Sequence, residues 1–225
     1  MHAIPIQKKA IKQLGIPNKK ISTIPMGVDE AFLSVGRNRK IEQDGRPFKI
    51  LSNRNLLPIY NVSLLIRAIP IVLKEEPKTK FLIAGDGPER DHLEEEAKNL
   101  NLDASIKFLG SVPHDKMPML LAEADIYVST SFHDGTSVSL LEAMASGAYP
   151  VVTDILPNRE WIVDGENGLL VPKENEVSLG MKIVEVIRNK NRLVEACERN
   201  RKIVEERSYW AENIKKIVDL YQPSR

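Results

Sequence analysis

The sequence predicts an α/β domain, a parallel β-sheet with helices on both faces. Short apolar runs alternate with longer amphipathic stretches from residue 48 to residue 171, a pattern typical of strand–helix–strand units with right-handed crossovers. Several of these runs are almost continuously apolar, as expected for strands that helices cover on both sides. The chain has 225 residues, of which 42% are hydrophobic, and this is enough for one sizeable core.

The predicted elements follow one another in regular alternation. The predicted strands are residues 48–52, 81–85, 105–110, 125–130, 150–153 and 168–171. The predicted helices are residues 61–75, 89–100, 115–122 and 139–146, followed by a short helical turn near residues 158–163. In such a sheet, ligands bind beyond the carboxyl ends of the strands, where the strand order reverses. A functional site is therefore expected in the loops that follow strands.

The amino-terminal segment has a different pattern from the middle of the chain. Residues 6–14 predict a helix that stops at Gly15, and residues 21–27 predict a short extended stretch. Residues 33–47 are polar and predict a loop or linker.

The carboxyl-terminal segment predicts a helical tail. Residues 174–221 have helical periodicity with breaks near residues 189–191 and at Ser208, which can cap the final helix. Basic and acidic residues are about equally frequent in this tail, which favours a solvated helix face over a membrane-binding one.

Composition excludes several classes of protein. The 32 Lys and Arg residues against 31 Asp and Glu give a net charge of +1, so the excess positive charge on which general nucleic-acid binding depends is missing. Cys197 is the single cysteine, which rules out an intramolecular disulfide and a thiolate metal site. The histidines lack metal-ligand spacing, and the sequence has neither a long apolar run nor a signal-peptide pattern. We therefore expect a cytoplasmic protein without a bound metal.

The most informative stretch is STSFHDGTSVSLLEAMASGAYPVVT, residues 129–153. A predicted strand ends there, a loop carries Asp134 and Gly135, and a helix begins near Thr136–Ser139. The first turn of a helix offers unpaired backbone N–H groups and the positive end of the helix dipole, which suit a phosphate. Ser and Thr are also common N-caps, so plain capping is the alternative for these hydroxyls.

Glu142 lies one turn into this largely apolar helix. A carboxylate is costly to bury unless donors bind it. The two neighbouring hydroxyls of a ribose are suitable donors, as they are for the acidic residue of dinucleotide-binding folds. The alternative is a local bond to backbone or to a basic side chain.

Residues 129–153 resemble the signature of the large retaining GT-B glycosyltransferase family, glycosyl transferases group 1, which includes mannosyl-, glucosyl- and glycogen-synthase-like enzymes. Asp134 and Glu142, with seven residues between them, match its pair of carboxylates, and LEAMASGAYPVVT at residues 141–153 is a highly specific block. The resemblance spans nearly the whole chain. Its further segments are residues 20–32, 52–61, 82–90, 107–131, 158–172 and 208–221.

The resemblance implies roles for individual residues. Arg54 would contact the donor phosphates, for which a guanidinium suits by charge and bidentate geometry. Glu142 would bind the ribose hydroxyls, and Asp134 would lie near the transferred sugar. The implied catalytic residues are Asp134, Glu142 and Arg54. The implied donor-binding residues are Arg54, Tyr60, Gly110, Ser111, Val112, Asp134, Gly135, Thr136, Ser137, Val138 and Glu142.

Three loops have more specific expectations. The backbone of Thr136, Ser137 and Val138 would cradle the distal phosphate, and main-chain groups at residues 110–112 would border the nucleobase. Residues 85–87, Gly-Asp-Gly, are expected to form a tight strand-end turn rather than a ligand contact. Glu160 matches a family position, with local capping or pairing as the alternative.

The sequence also departs from the family pattern. Tyr60 stands where the family has a phosphate-binding Lys, so one positive charge is absent, although a phenol O–H can donate to a phosphate oxygen. Asp134 replaces a Glu, and Ser137 stands where Gly is common. Leu156 and Pro157 replace a frequent Gly pair. These departures leave a weakened or altered donor site open.

The resemblance implies the carboxyl-terminal half of a two-domain enzyme. Residues 1–47 would be the interdomain linker and a remnant of the preceding domain, 48–207 the Rossmann-like nucleotide-sugar-binding domain, and 208–225 a helix packing toward an amino-terminal domain absent here. The implied reaction transfers a hexose from a UDP-, GDP- or ADP-sugar with retention of anomeric configuration and without a cofactor. A saccharide or lipid-linked acceptor, and any contact with a membrane surface, would belong to the other domain.

Other functions remain as alternatives. A non-catalytic nucleotide-sugar-binding or regulatory half-transferase is motivated by the missing Lys. A sugar-nucleotide epimerase shares the fold class but lacks the LEAMASG block. A dinucleotide oxidoreductase is remote, because the Gly-Asp-Gly-Pro at residues 85–88 does not continue into a dinucleotide-binding fingerprint.

Overall fold

The computed structural model describes residues 22, 24–39 and 45–221. The helix expected at residues 6–14 lies outside the described residues. None of the helices in the described part is long and apolar enough to cross a membrane.

The centre of the fold is a six-stranded sheet in the order β3-β2-β1-β4-β5-β6, and every neighbouring pair is parallel. Its strands are β1 (Lys49–Ser52), β2 (Lys80–Ala84), β3 (Ile106–Gly110), β4 (Ile126–Ser129), β5 (Tyr149–Thr153) and β6 (Leu169–Val171). The predicted strands and their parallel arrangement are confirmed. The strand order reverses between β1 and β4, so the loops after these two strands flank the switch point of the sheet.

Helices follow the strands in the predicted alternation. They are α1 (Glu30–Asn38), α2 (Val62–Glu75), α3 (Arg90–Asn99), α4 (Met117–Glu123), α5 (Val138–Ser146), α6 (Leu156–Arg159), α7 (Glu176–Arg188), α8 (Lys190–Arg207) and α9 (Trp210–Tyr221). Short 3-10 turns occupy Pro58–Tyr60 and His114–Lys116. The tail breaks at Asn189 and Ser208, as predicted, but the hydroxyl of Ser208 donates to the carbonyl oxygen of Met26. The helical turn expected near residues 158–163 begins earlier, because Pro157 is well suited to a first turn.

The core lies in two layers, one on each face of the sheet. Ile50 and Val151 belong to the layer under α2 and α7, whereas Leu51 and Val152, their chain neighbours, belong to the layer under α1 and α5. Successive side chains of a strand point to opposite faces, so this division follows from the continuous apolar runs of the sequence. Both faces are covered, as predicted.

Helix α1 corrects the expectation of a polar loop at residues 33–47. Phe32, Leu33 and Gly36 are buried, and a Cβ at Gly36 would overlap the carbonyl oxygen of Ala145 in α5. Only a narrow stripe of this nine-residue helix is buried. Four of its other residues, Glu30, Ser34, Arg37 and Asn38, are polar, so the stretch resembles a solvated loop in composition although α1 packs on the domain.

Asp125 ties the chain after α1 to the sheet. Its carboxylate accepts hydrogen bonds from the Arg46 guanidinium at 2.6 and 2.9 Å and from the backbone N–H of Lys49 at 2.9 Å. Arg39 lies 3.4 Å from the same carboxylate. The carboxylate is nearly fully buried, and these donors offset the cost of burying its charge.

Gly36→Ala is expected to destabilise the domain by about 1–3 kcal/mol, the usual cost of overpacking a tight contact. On a solvated helix the same change would stabilise by up to about 1 kcal/mol through helix propensity. Urea unfolding of the variant measures the sign directly. Ser34→Ala, on the exposed side of α1, is the matched control. A more stable Gly36→Ala protein would mean that α1 does not dock on α5.

Candidate functional site

The loops after β1 and β4 are held together at the switch point. The hydroxyl of Thr130 donates to the carbonyl oxygens of Tyr60 and Asn61, at 3.1 and 2.7 Å. The N–H of Phe132 donates to the carbonyl oxygen of Ile59 at 2.9 Å. Residues about 70 positions apart in the chain are therefore fixed side by side, as the topology of a doubly wound sheet allows.

Arg54 is the centre of this junction. Its side chain is 7% exposed, and its Nη2 donates to Asp134 Oδ2 at 2.8 Å. Its Nη1 donates to Ser137 Oγ at 3.1 Å, and its Cζ lies 4.1 Å from the centroid of the Tyr60 ring. The Nε atom is buried without a hydrogen-bond partner. Four of the residues predicted to bind a donor thus meet at one guanidinium.

Helix α5 begins beside this guanidinium. Ser137 is its N-cap, and the hydroxyl oxygen accepts from the N–H of Leu140 at 3.4 Å while it also accepts from Arg54. Capping, the alternative raised for these hydroxyls, therefore applies to Ser137. The first N–H groups of α5 still give this end of the helix a positive potential.

Asp134 uses both of its carboxylate oxygens locally. Oδ1 accepts from the N–H of Gly135 at 2.9 Å, and Oδ2 accepts from Arg54. Since the Asp134 side chain is only 15% exposed, its charge largely neutralises that of Arg54. The positive potential that remains for an incoming anion comes mainly from the amino end of α5.

Glu142 is the unpaired charge of the site. It is 9% exposed, and among the described residues no hydrogen bond or ion pair to its carboxylate is found. Burial raises its pKa to about 7, while the field of His114 lowers the pKa and that of Asp29 raises it. The local partner proposed as the alternative for Glu142 is absent from the described residues, so hydroxyl donors of a ligand remain a suitable partner.

The third loop, after β3, lies at the same edge of the sheet. Gly110 ends β3 with φ +69°, and its carbonyl oxygen accepts from the N–H of Gly85 at 2.8 Å. Ser111 is exposed and Val112 packs against the core. β3 is separated from β1 by β2, so these residues line a different part of the edge from Arg54.

The Gly-Asp-Gly turn after β2 supports the loop that carries Arg54. The N–H of Leu56 donates to the carbonyl oxygen of Asp86 at 2.9 Å. A Cβ at Gly85 would overlap the carbonyl oxygen of Arg54. The turn therefore has a structural role, as expected from the sequence, and it fixes the backbone from which Arg54 projects.

Two residues near Glu142 were not predicted. His114 Nε2 lies 3.4 Å from Asp29 Oδ2, and the imidazole centroid lies 5.4 Å from that of Phe32. The sequence did not predict this pair, because Asp29 and Phe32 lie at the start of α1, in the part of the chain that was expected to be a linker. A buried carboxylate in α5 was the one signal that a charged group should face it.

Glu160 is not paired through its carboxylate with any described residue. Its carbonyl oxygen accepts from Arg207 at 3.2 Å, and the Arg207 guanidinium lies 4.3 Å from the Trp161 ring centroid. The structure thus shows neither of the local roles considered for the Glu160 side chain.

A cavity of about 660 Å³ lies elsewhere, beside residues 45–48, 76–79 and 187–191. These residues precede β1 and β2 or join the end of α7 to the start of α8, at the amino ends of the strands. Because the switch-point loops leave the opposite ends, this cavity is separate from the group around Arg54.

A family model described as glycosyl transferases group 1 matches residues 37–216. The UDP-N-acetylglucosamine–peptide N-acetylglucosaminyltransferase GtfA subunit of Streptococcus pneumoniae is 28% identical over 159 residues, covering 70% of this chain and 30% of that protein. The uncharacterized glycosyltransferase MJ1069 of Methanocaldococcus jannaschii is 27% identical over 224 residues, covering 95% of this chain and 56% of that protein.

The fold is shared with solved structures. Anabaena Alr3699/HepE in complex with UDP-glucose matches with a TM-score of 0.78 at 22% identity, covering 94% of this chain and 60% of that one. The parallel sheet is thus the Rossmann-like half of a GT-B fold, as predicted. The chain spans at most 60% of the length of these three proteins.

Glu142→Gln is expected to stabilise the domain at pH 8 and to lose this advantage as the pH falls. The pKa of Glu142 rises from 4.5 to about 7 on folding. The stabilising contribution of the protonated group is therefore complete below pH 4.5 and is lost as the pH rises to 7. With about 1.4 kcal/mol per pKa unit, the gain at pH 8 should reach about 2–3 kcal/mol, less what residual solvent contact screens.

Urea unfolding at pH 5, 6.5 and 8 measures this difference. Glu95→Gln, on the exposed face of α3, is the control and should show no such trend. A Glu142→Gln protein that is less stable than the wild type at pH 8 would mean that the folded chain already supplies donors to the carboxylate.

Proposed function

This chain belongs to the glycosyl transferases group 1 family, and we propose that it is the part of a glycosyltransferase that binds a nucleoside-diphosphate sugar. The observation that carries the proposal is the group at the switch point. A buried guanidinium lies against the N-cap of α5, and an unpaired carboxylate lies about one turn farther along the helix. Together they offer positive potential for a diphosphate and an acceptor for ribose hydroxyls.

The proposed phosphate position, at the amino end of α5, and the proposed ribose position, at Glu142, lie along the same helix. Glu142 is five residues after Ser137, which corresponds to roughly 7 Å along the axis of α5. One nucleotide can place its phosphates at the amino end of α5 and its pentose at Glu142. Both groups are positioned before a ligand arrives, because α5 is buried along its length.

We further propose that the reaction transfers a hexose with retention of configuration. The support is the spacing of Asp134 and Glu142, which resembles that of the retaining family. Arg54 and the helix end would stabilise the charge that develops on the leaving diphosphate, a form of electrostatic preorganisation. A UDP-sugar is the first donor to test, because UDP occurs in the name of the Streptococcus pneumoniae relative and with the Anabaena structure.

We propose that the acceptor binds to a further domain. Trp210, Ile214, Val218 and Tyr221 recur at helical spacing on α9 and are exposed. An apolar stripe of this kind is typical of a surface that another element covers. This agrees with the proposal that α9 packs toward an amino-terminal domain, through which any association with a membrane surface would occur.

A non-catalytic, regulatory role is the second candidate. It is favoured by the pairing of Arg54 with Asp134, which leaves little net charge for a diphosphate. The full-length protein separates the two functions: an enzyme releases nucleoside diphosphate and forms a glycoside, whereas a regulatory protein binds the donor and leaves it intact. NMR of the new anomeric centre would test retention.

Calorimetric titration with UDP, GDP, ADP and their sugars tests the proposed binding. Arg54→Ala and Glu142→Ala are each expected to weaken the tightest-binding nucleotide by at least about tenfold, since each removes hydrogen bonds to a charged group worth about 1.5–3 kcal/mol. The controls are Arg188→Ala, at the end of α7, where the side chain pairs with Glu75, and Glu95→Ala, on the outer face of α3. If the wild-type chain binds none of these nucleotides, the proposal fails.

Asp134→Asn should bind the nucleoside diphosphate more tightly, by about 3- to 10-fold, because a repulsive charge is removed and Arg54 is released to the phosphates. The gain should shrink in high salt. Asp154→Asn, which breaks an exposed pair with Arg159 after β5, is the control and should leave the affinity unchanged. Weaker binding by Asp134→Asn would mean that the pair with Asp134 is needed to hold Arg54 in place.

A further inference from the structure

The ring of Tyr60 lies against the guanidinium of Arg54, and the proposed function gives no role to this contact. The ring centroid lies 4.1 Å from the guanidinium carbon, within the range of a cation–π contact. Sequence analysis gave this residue one possible role, a hydroxyl that donates to a phosphate oxygen. The geometry raises a different one, because it is the face of the ring that meets Arg54.

Hydrogen bonds fix the backbone of Tyr60, from which the ring projects. Tyr60 ends the 3-10 turn Pro58–Tyr60, and its N–H donates to the carbonyl oxygen of Leu57 at 2.9 Å. Its own carbonyl oxygen accepts from the Thr130 hydroxyl at 3.1 Å. Asn61 then adopts a left-handed conformation with φ 46° and ψ 45°, and its carbonyl oxygen accepts from the same hydroxyl. The backbone from which the ring projects is thus held by the loops after both β1 and β4.

Arg54 depends on such support. A long side chain loses about 2 kcal/mol of rotamer entropy when it is fixed, and Asp134 and Ser137 hold only the tips of its guanidinium. When a diphosphate draws these tips away from Asp134, the ring still covers one face of the planar group. Tyr60 can therefore keep the guanidinium oriented in both the free and the bound state.

We propose that Tyr60 is a positioning residue, whose aromatic ring orients Arg54 toward the amino end of α5 and whose hydroxyl is dispensable for diphosphate binding. This inference rests on the proposed function. It also gives a role to Tyr60 at the position where the family that the sequence resembles has a phosphate-binding Lys, because a guanidinium that is oriented in advance loses less freedom on binding.

Tyr60→Phe and Tyr60→Leu separate the ring from the hydroxyl. For the tightest-binding of UDP, GDP and ADP, Tyr60→Phe should keep the affinity within about twofold, because benzene and phenol rings attract a cation similarly. Tyr60→Leu should weaken the affinity by about 3- to 30-fold, the range of one partly buried cation–π contact. The corresponding nucleoside without phosphates should bind all three proteins equally, since its subsite does not include Arg54.

Each contrary result overturns the proposal. If Tyr60→Phe loses as much affinity for the nucleoside diphosphate as Tyr60→Leu does, the hydroxyl contacts the phosphates. If neither variant loses affinity, the stacking has no role. If Tyr60→Leu also weakens binding of the nucleoside, the effect is a general disturbance of the loops around Arg54. In an Arg54→Ala background, the difference in affinity between Tyr60→Phe and Tyr60→Leu should disappear.

A second measurement keeps the inference testable if no nucleotide binds and the proposed function fails. The double-mutant cycle of Arg54→Ala with Tyr60→Leu, followed by urea unfolding, gives the coupling of the two side chains in the free protein. A coupling between Arg54→Ala and Tyr60→Leu, together with no coupling between Arg54→Ala and Tyr60→Phe, supports the positioning role. If Arg54→Ala and Tyr60→Leu are not coupled, the positioning role is refuted without reference to any ligand.

Discussion

The ion pair between Arg54 and Asp134 joins the loop after β1 to the loop after β4, and the site is organised around it. The two strands are neighbours only because the order of the sheet reverses between them. A guanidinium that is 93% buried needs an anion and further contacts. Asp134, Ser137 and the Tyr60 ring provide them, and the Gly-Asp-Gly turn after β2 fixes the backbone beneath. The same pairing leaves the amino end of α5 as the main source of positive potential.

Glu142 represents the opposite situation, a buried charge that the chain does not pair. Helix α5 is apolar along most of its length, so the domain could have been stabilised by an apolar residue at this position. Instead the pKa of Glu142 is raised to about 7 by burial. A local cost of this kind is typical of functional sites, where a ligand supplies the missing partner. His114, in the loop after β3, lowers this pKa, and Asp29, the N-cap of α1, raises it.

The sequence predicted the sheet well and helix α1 poorly. Strands buried on both faces are continuous apolar runs, which are recognisable without a partner, and all six were placed within one residue of their observed ends. Helix α1 buries only Phe32, Leu33 and Gly36, and Gly36 carries no side chain to indicate burial. Its role depends on the close approach of Ala145, which no local pattern encodes. The helical turn expected near residues 158–163 begins at Leu156, two residues earlier, with Pro157 in its first turn.

The sequence by itself determined the fold class and the family to which its motifs belong, and it predicted the loops of the candidate site, because these depend on local periodicity and on short specific segments. Only the tertiary structure decided which residues meet. Asp134 pairs with Arg54 80 positions away, Tyr60 contributes the face of its ring, and Glu142 stays unpaired. The physical reason is that pairing and burial are set by through-space distances, which the strand order of the sheet fixes and the linear chain does not.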